Sequence, residues 1–232
     1  LTVNGNLTLN AAAGDESAAQ LKGENNAEIL VDGDWINNTS PASGSTDPTG
    51  FVHNNTFVYL TGSNGQDSEI KGNNTFFQLT ANKNLSGDSD HKKFVGAGIK
   101  FESGKTQTIS AGGTLELKGS AESDRLKVES TDSSVSDPQH TLSVSGASVS
   151  AEYLDISNSK LTGISSPPDP TGSTSSDGND GWFILPTVTT FTPACGASGV
   201  DVAANLTLTF NETVVKGTGN ITLYKADDTE IE

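Results

Sequence analysis

The best candidate in the sequence for a set of metal-binding oxygen donors is Asp177-Gly-Asn-Asp-Gly. Calcium takes hard oxygen ligands from flexible loops of this kind. Asp177, Asn179 and Asp180 are therefore the candidate metal ligands, Asp169 is a further donor, and Ca2+ is the candidate cofactor. The spacing is not that of an EF-hand, and a Gly/Asn turn without an ion accounts for the same residues. Asp32-Gly-Asp34 and Asp88-Ser-Asp90 repeat the pattern more weakly. Glycoside hydrolysis also needs paired carboxylates, set across a sugar cleft. Bare pairs such as these are ordinary in solvated turns. His53, His91 and His140 lack metal-type spacing, and Arg125 is the only arginine. Neither a G-x-S-x-G elbow nor a Walker loop occurs. No catalytic residue is expected. Cys195 is the only cysteine, so no intrachain disulfide can form, and no His is placed to activate it. A small, semi-buried side chain is the expectation there. Sugar binding would use exposed aromatics, and Trp35, Phe57, Tyr59, Phe76 and Phe77 are available. A hydrophobic core is expected to take most of them.

The elements that would position these groups are short strands. The strand candidates are Leu7–Leu9, Ile29–Val31, Phe57–Leu60, Phe76–Leu79, Ile99–Phe101 and Thr106–Ile109. Thr114–Leu117, Arg125–Val128, Thr141–Val144, Val149–Ala151 and Tyr153–Ile156 complete them, and polar and apolar residues alternate in the segments that begin at Thr106, Thr114, Arg125, Thr141 and Glu152. Leu1–Val3 also reads as a strand. Only Glu16–Leu21 could form a helical turn, and it is too short to be stable alone. Gly, Asn, Asp and Ser clusters separate the strands. Very short strands with loops of varying length favour a solenoid over a sandwich or barrel. Asn beside strand ends, as at Asn54-Asn55 and Asn73-Asn74, tolerates left-handed backbone and can stack in ladders.

Composition fits a thin-cored, wet-surfaced β protein. Of 232 residues, 32% are hydrophobic and 6% aromatic. Ser, Thr and Asn make up about a third, with 25 Gly and no Met. Stacked layers that bury themselves against their neighbours suit so small an apolar content. The formal charge is -16. Nucleic acid is excluded as a partner, because phosphates need a basic stripe. No apolar run is long enough to span a bilayer, and no signal peptide is visible. Nine N-x-[ST] sequons occur, a number that chance explains in a chain so rich in Asn and Thr.

Ser165–Gly181 contains three prolines and much Ser and Gly, and reads as a long loop. Trp182-Phe183-Ile184 closes it, as a last strand or an end cap. The boundary between two domains is placed after it, giving 1–185 and 186–232.

Two resemblances add to this reading. Ile99-Lys-Phe-Glu-Ser-Gly-Lys-Thr, Gly113-Thr-Leu-Glu-Leu-Lys-Gly and Arg125-Leu-Lys-Val-Glu-Ser-Thr begin the first. Thr141-Leu-Ser-Val-Ser-Gly, Ala151-Glu-Tyr-Leu-Asp-Ile-Ser-Asn-Ser and Asp177-Gly-Asn-Asp-Gly-Trp complete it. This segment resembles a repeat unit of large prokaryotic surface proteins, adhesin-like in type, and implies a right-handed parallel β-helix. The second resemblance runs from Pro186-Thr-Val-Thr-Thr-Phe-Thr-Pro-Ala-Cys through Ala204-Asn-Leu-Thr-Leu-Thr-Phe-Asn-Glu-Thr-Val to Gly217-Thr-Gly-Asn-Ile-Thr-Leu. It is similar to the bacterial Ig-like domain of S-layer and other surface proteins, departing at Cys195, where a polar residue is usual. Too few residues follow Pro186 for a whole sandwich. Phe191, Val200, Leu206, Leu208, Phe210, Ile221 and Leu223 would then lack partners, unless another chain supplies strands.

The fold class expected is all-β, a right-handed parallel β-helix followed by a partial Ig-like β-sandwich. The function expected is a non-enzymatic stalk, fibre, sheath or adhesin segment at the cell surface. Copies of itself, stacked end to end, or neighbouring domains of a longer surface protein are the expected partners. A glycan-binding β-helix is the alternative, and a polysaccharide-degrading enzyme a weaker one.

Overall fold

The computed structural model describes the chain except residues 11–19, 40–49, 64, 86–90, 133, 135–137, 177, 195, 202, 212–213 and 215–232. It divides into two compact units, Leu1–Ile184 and Leu185–Glu232. No helix occurs among the described residues.

The strands of the first unit are β1 (Thr2–Val3), β2 (Leu7–Asn10), β3 (Gln20–Lys22), β4 (Glu28–Val31), β5 (Trp35–Asn38) and β6 (Gly50–Val52). Then come β7 (Phe57–Leu60), β8 (Ser68–Lys71), β9 (Asn74–Asn82), β10 (Gly98–Phe101), β11 (Thr106–Lys118) and β12 (Leu126–Ser130). The last are β13 (His140–Ser143), β14 (Ser148–Glu152), β15 (Leu154–Ile156), β16 (Ser159–Thr162) and β17 (Thr174–Ser175). The chain alternates between two parallel sheets. The first runs β1-β4-β7-β9-β11-β13-β16, with β14 also on β11; the second runs β2-β5-β8-β10-β12-β15-β17. A third, two-stranded parallel sheet joins β3 to β6.

Alternation within each strand decides what faces inward. In β4 and β7 the buried positions are every second residue, as a pleat requires. Register then stacks like on like. Ile29 pairs with Val58, Val58 with Leu79, Leu79 with Leu115, and Leu115 with Val149. In the second sheet Ile99 pairs with Val128, and Val128 with Ile156. These rows meet in a single buried cluster from Leu9 to Trp182. A one-residue slip would turn a whole row outward, so burial fixes the register.

Several sequence expectations change. Thr106–Ile109 and Thr114–Leu117 are one strand, β11, interrupted by an irregularity between Ile109 and Thr114. Gln20 and Leu21 belong to strand β3 rather than a helical turn, and Glu16–Ala19 lie outside the described residues. The Pro/Ser/Gly-rich loop is not strandless. Its residues 174–175 form β17, and Thr171 and Asp180 make parallel bridges to Glu152 and Lys160. Backbone pairing outweighs poor strand propensity where a partner edge stands ready. Trp182 is fully buried and outside any strand, so the apolar triplet acts as an end cap.

The turn from β8 to β9 passes directly between the two large sheets, with no third-sheet strand between. Gly72 makes it possible. Its φ is +76°, and an added Cβ would lie 2.1 Å from the carbonyl oxygen of Asn37. Gly65 has the same φ of +76° but open space around it. Gly65→Ala is therefore expected to destabilise by the conformational term alone, about 1 kcal/mol, and Gly72→Ala by roughly 2–3 kcal/mol. Urea titration followed by tryptophan fluorescence reads this cleanly, since both tryptophans lie in the first unit. Equal losses would show that the contact with Asn37 is unimportant.

In the second unit β18 (Val188–Thr192) pairs antiparallel with β19 (Thr207–Phe210). Phe191, Val200 and Leu206 are about half exposed there, while Leu208 and Phe210 are partly covered. Ile221, Leu223 and Cys195 lie outside the described residues.

Candidate functional site

Two polar networks interrupt the apolar interior. In the first, the Trp35 indole donates to Asn74 Oδ1 at 2.9 Å. Asn74 Nδ2 in turn donates to Gln107 Oε1 at 2.8 Å and to the carbonyl of Lys71 at 3.1 Å. Gln107 Nε2 returns to the carbonyl of Gly72 at 2.9 Å. Each member is held by a different strand or turn, and all the amide groups have partners. The network satisfies the backbone where the third strand is skipped.

The second network centres on His140, stacked on Phe101 with ring centroids 4.5 Å apart. Ser130 Oγ donates to the carbonyl of Asn158 at 3.0 Å, which uses its one proton. His140 Nδ1, 3.0 Å away, must therefore donate to Ser130. Nε2 is then the acceptor, and it receives the Ser159 hydroxyl at 2.9 Å. Ser159 accepts the Trp182 indole N–H at 2.9 Å. The protons run one way, from Trp182 through Ser159, His140 and Ser130 to Asn158. Burial lowers the His140 pKa to about 3, so the ring is neutral. A serine beside a histidine suggests a nucleophile and base. Here both hydroxyls are bound within the core, and His140 serves the packing.

The sequence-predicted ligands are placed as follows. Asn179 is a rung between passes of the chain. Its Oδ1 accepts the Ser159 N–H at 3.1 Å, and its Nδ2 donates to the carbonyls of Ile156 and Ser176 at 2.7 and 2.8 Å. Asp180 is exposed, with Oδ2 3.3 Å from Lys160 Nζ. Asp177 lies outside the described residues, as do Asp88 and Asp90. Asp169 donates its backbone N–H to the carbonyl of Trp182. No group of three or more His, Cys, Asp or Glu side chains converges among the described residues. Asp34 clamps two passes, accepting from Asn6 Nδ2 at 3.0 Å and from the Glu69 N–H at 2.9 Å. Arg125 Nε donates to the carbonyl of Gly172 at 2.7 Å.

Asparagines do stack between passes. Asn38 donates to Asn10 Oδ1 at 2.9 Å, and Asn55 to Asn25 Oδ1 at 3.3 Å. Asn54 and Asn55 have φ of 41° and 60°, where Asn is tolerated better than most residues.

The aromatics divide. Trp35 and Phe76 are buried in the core. Phe57, Tyr59 and Phe77 are half-buried on the outer face of the first sheet. Phe57 and Phe77 lie near-parallel, centroids 6.2 Å apart, and His53 continues the row at 6.1 Å from Phe77. His53 also lines a cleft of about 380 Å³ with Phe51, Asn54, Asn73 and Thr75. That cleft opens beside β6, which among the described residues has a strand partner only on the β3 side. The position of His53 was not visible from spacing, since the loops that bring it to Phe77 have no period.

No helix among the described residues is long and apolar enough to cross a membrane. No curated protein and no solved structure matches the chain. Residues 184–231, about a fifth of the chain, match the family model of a bacterial Ig-like domain, so this C-terminal part is Ig-like.

Proposed function

We propose that this chain is a non-enzymatic structural segment of an extracellular bacterial surface protein, a stalk or adhesin element, and that its first unit is a right-handed parallel β-helix. The observation carrying this reading is the repeated register. Ile29, Val58, Leu79, Leu115 and Val149 occupy one inward row across successive passes. Such a row makes each layer's stability depend on its neighbours and gives length without a wide core. Right-handedness follows from the rule for crossovers between parallel strands of one sheet. Bacterial Ig-like domains occur in surface proteins, which supports the location. The polar residues most suggestive of chemistry, His140 and Asn74, are consumed by internal hydrogen bonds, which supports a structural role.

End-to-end self-stacking draws less support than a neighbour in the same protein. The edge of β16 is already taken by the terminal segment: Leu161 donates to the carbonyl of Asp180, and Asp180 to that of Ser159.

Single-molecule pulling tests the stalk. An ordered first unit is expected to resist force and then release a contour length of about 60 nm, at roughly 3.5 Å per residue. Yielding without a measurable force peak would overturn the mechanical role. Repeating the pulls with calcium and with EDTA tests the turn at Asp177, Asn179 and Asp180. A calcium-dependent rise in unfolding force would place a structural ion there. Release of reducing ends from a polysaccharide would overturn the non-enzymatic reading.

A further inference from the structure

We propose that the cleft beside β6, continued by the His53–Phe77–Phe57 ring row, binds a neutral oligosaccharide. Its chemistry is mixed in the way a sugar requires. Phe51 and Val52 give an apolar wall, and none of the lining residues carries a charge. Two of the amides there are already committed. Asn74 is saturated within the core network, and Asn37 donates to the carbonyl of Asn73 while accepting from Thr39.

Three groups remain available among the described residues. Asn73 Oδ1 accepts the Thr106 N–H at 2.9 Å, which leaves its Nδ2 as a donor. Asn54 Nδ2 donates to the carbonyl of Gly23 at 3.0 Å, which leaves its Oδ1 as an acceptor. Thr75 is exposed and its hydroxyl has no described partner. One donor, one acceptor and one hydroxyl of either sense fit the vicinal hydroxyls of a pyranose. Among the described residues β6 has no strand partner on its other edge, and such an edge offers backbone groups of both kinds.

The imidazole of His53 belongs to the same surface. Its Nδ1 accepts the Asn55 N–H at 3.1 Å, so Nε2–H donates to Ser110 Oγ at 2.8 Å. It is therefore a neutral ring, and burial lowers its pKa further. With Phe77 and Phe57 it extends the apolar wall along the outer face of the sheet, against which the C–H side of a sugar can lie. The cleft's volume, about 380 Å³, falls at the small end of ligand sites, which span roughly 300–1,000 Å³. The net charge of -16 repels an acidic glycan and leaves a neutral one as the fitting class.

Affinity electrophoresis of the full chain in gels holding dextran, galactomannan or β-glucan, with alginate as the acidic control, tests this. Retardation is expected in at least one neutral gel and not in alginate. Phe77→Ala and Thr75→Trp are each expected to weaken apparent affinity at least tenfold, one by removing the middle ring and the other by filling the cleft. Thr75 is exposed, so its variant keeps the fold, and an unchanged melting curve verifies that even if Phe77→Ala proves unstable. Retardation in no neutral gel, retardation only in alginate, or undiminished binding by a folded Thr75→Trp would each overturn the proposal.

Discussion

Acidification from pH 7 to pH 4 is expected to remove about 3 kcal/mol of stability from the first unit through His140 alone. The ring is held by Phe101, Ser130 and Ser159, and burial lowers its pKa to about 3. In the unfolded chain a histidine titrates near 6.5. Between those values the unfolded state holds a proton that the folded state does not. Stability is therefore complete above about pH 6.5 and falls as pH falls, by ~4 kcal/mol at pH 3. The direction matches the hydrogen bonds. A protonated Nε2 would have to donate toward Ser159, whose hydroxyl proton would then lose its acceptor. Carboxylates act lower in pH. Asp124, whose pKa is lowered by hydrogen bonds from Lys83 and Ser120, contributes stability that is lost only as pH falls below the ordinary carboxylate range. The check is urea unfolding at pH 7, 6, 5 and 4 for the native chain and for His140→Gln. The variant should start less stable at pH 7, by about 1–3 kcal/mol for the disturbed network. Its stability should then fall much less between pH 6.5 and 4. Parallel pH profiles would show that His140 is not the titrating group.

That network also marks where sequence reading stops. Where polar and apolar residues alternate in the sequence, as at Thr114–Leu117 and Arg125–Val128, the inward positions Leu115, Leu117, Leu126 and Val128 were legible. The strands whose inward positions are polar were not. Ser68–Lys71 and Ser159–Thr162 place a serine in the interior, and a buried serine carries no pattern that distinguishes it from a turn. Trp35–Asn38 was missed for the same reason, since its second inward residue is Asn37. Gly50–Val52 is too short to alternate. In the late loop, Asn179 was singled out for its oxygen, and its carboxamide proved to be a rung between strands. A donor-rich turn and a ladder asparagine share one composition. Only the partner, set by a long-range register, tells them apart. The outer aromatic row was half legible. Period-2 alternation puts Phe57 opposite in sense to Val58, but the meeting of His53 with Phe77 depends on loops of no fixed length.

Trp35 is expected to be among the most sensitive positions in the molecule, with Trp35→Ala lowering stability by about 3–5 kcal/mol. Its ring is fully buried and meets Phe51 edge-on at 4.9 Å and Phe76 at 5.2 Å. Those three residues sit on β5, β6 and β9, one from each parallel sheet. The indole thus joins the two-stranded sheet to the other two, and truncation would open a cavity where all three meet. Trp35→Phe keeps most of that contact but strands Asn74 Oδ1, a loss of roughly 1–3 kcal/mol. Asn74→Ala is the converse change. It leaves the Trp35 N–H and Gln107 Oε1 without a partner and takes one donor from the carbonyls of Lys71 and Gly72, and should lower stability by about 2–4 kcal/mol. The double variant discriminates between packing and hydrogen bonding. Once Asn74 is gone, the indole N–H is a burden rather than a contact, so Trp35→Phe should then be nearly neutral. The two losses should therefore fall short of additivity by 1 kcal/mol or more, measured by urea titration on tryptophan 182 fluorescence, within the ~0.5–3 kcal/mol range of coupled neighbours. Additive losses would mean that Trp35 acts through its bulk alone. In that case the amide network would owe its place to the backbone turn at Gly72 and not to the core.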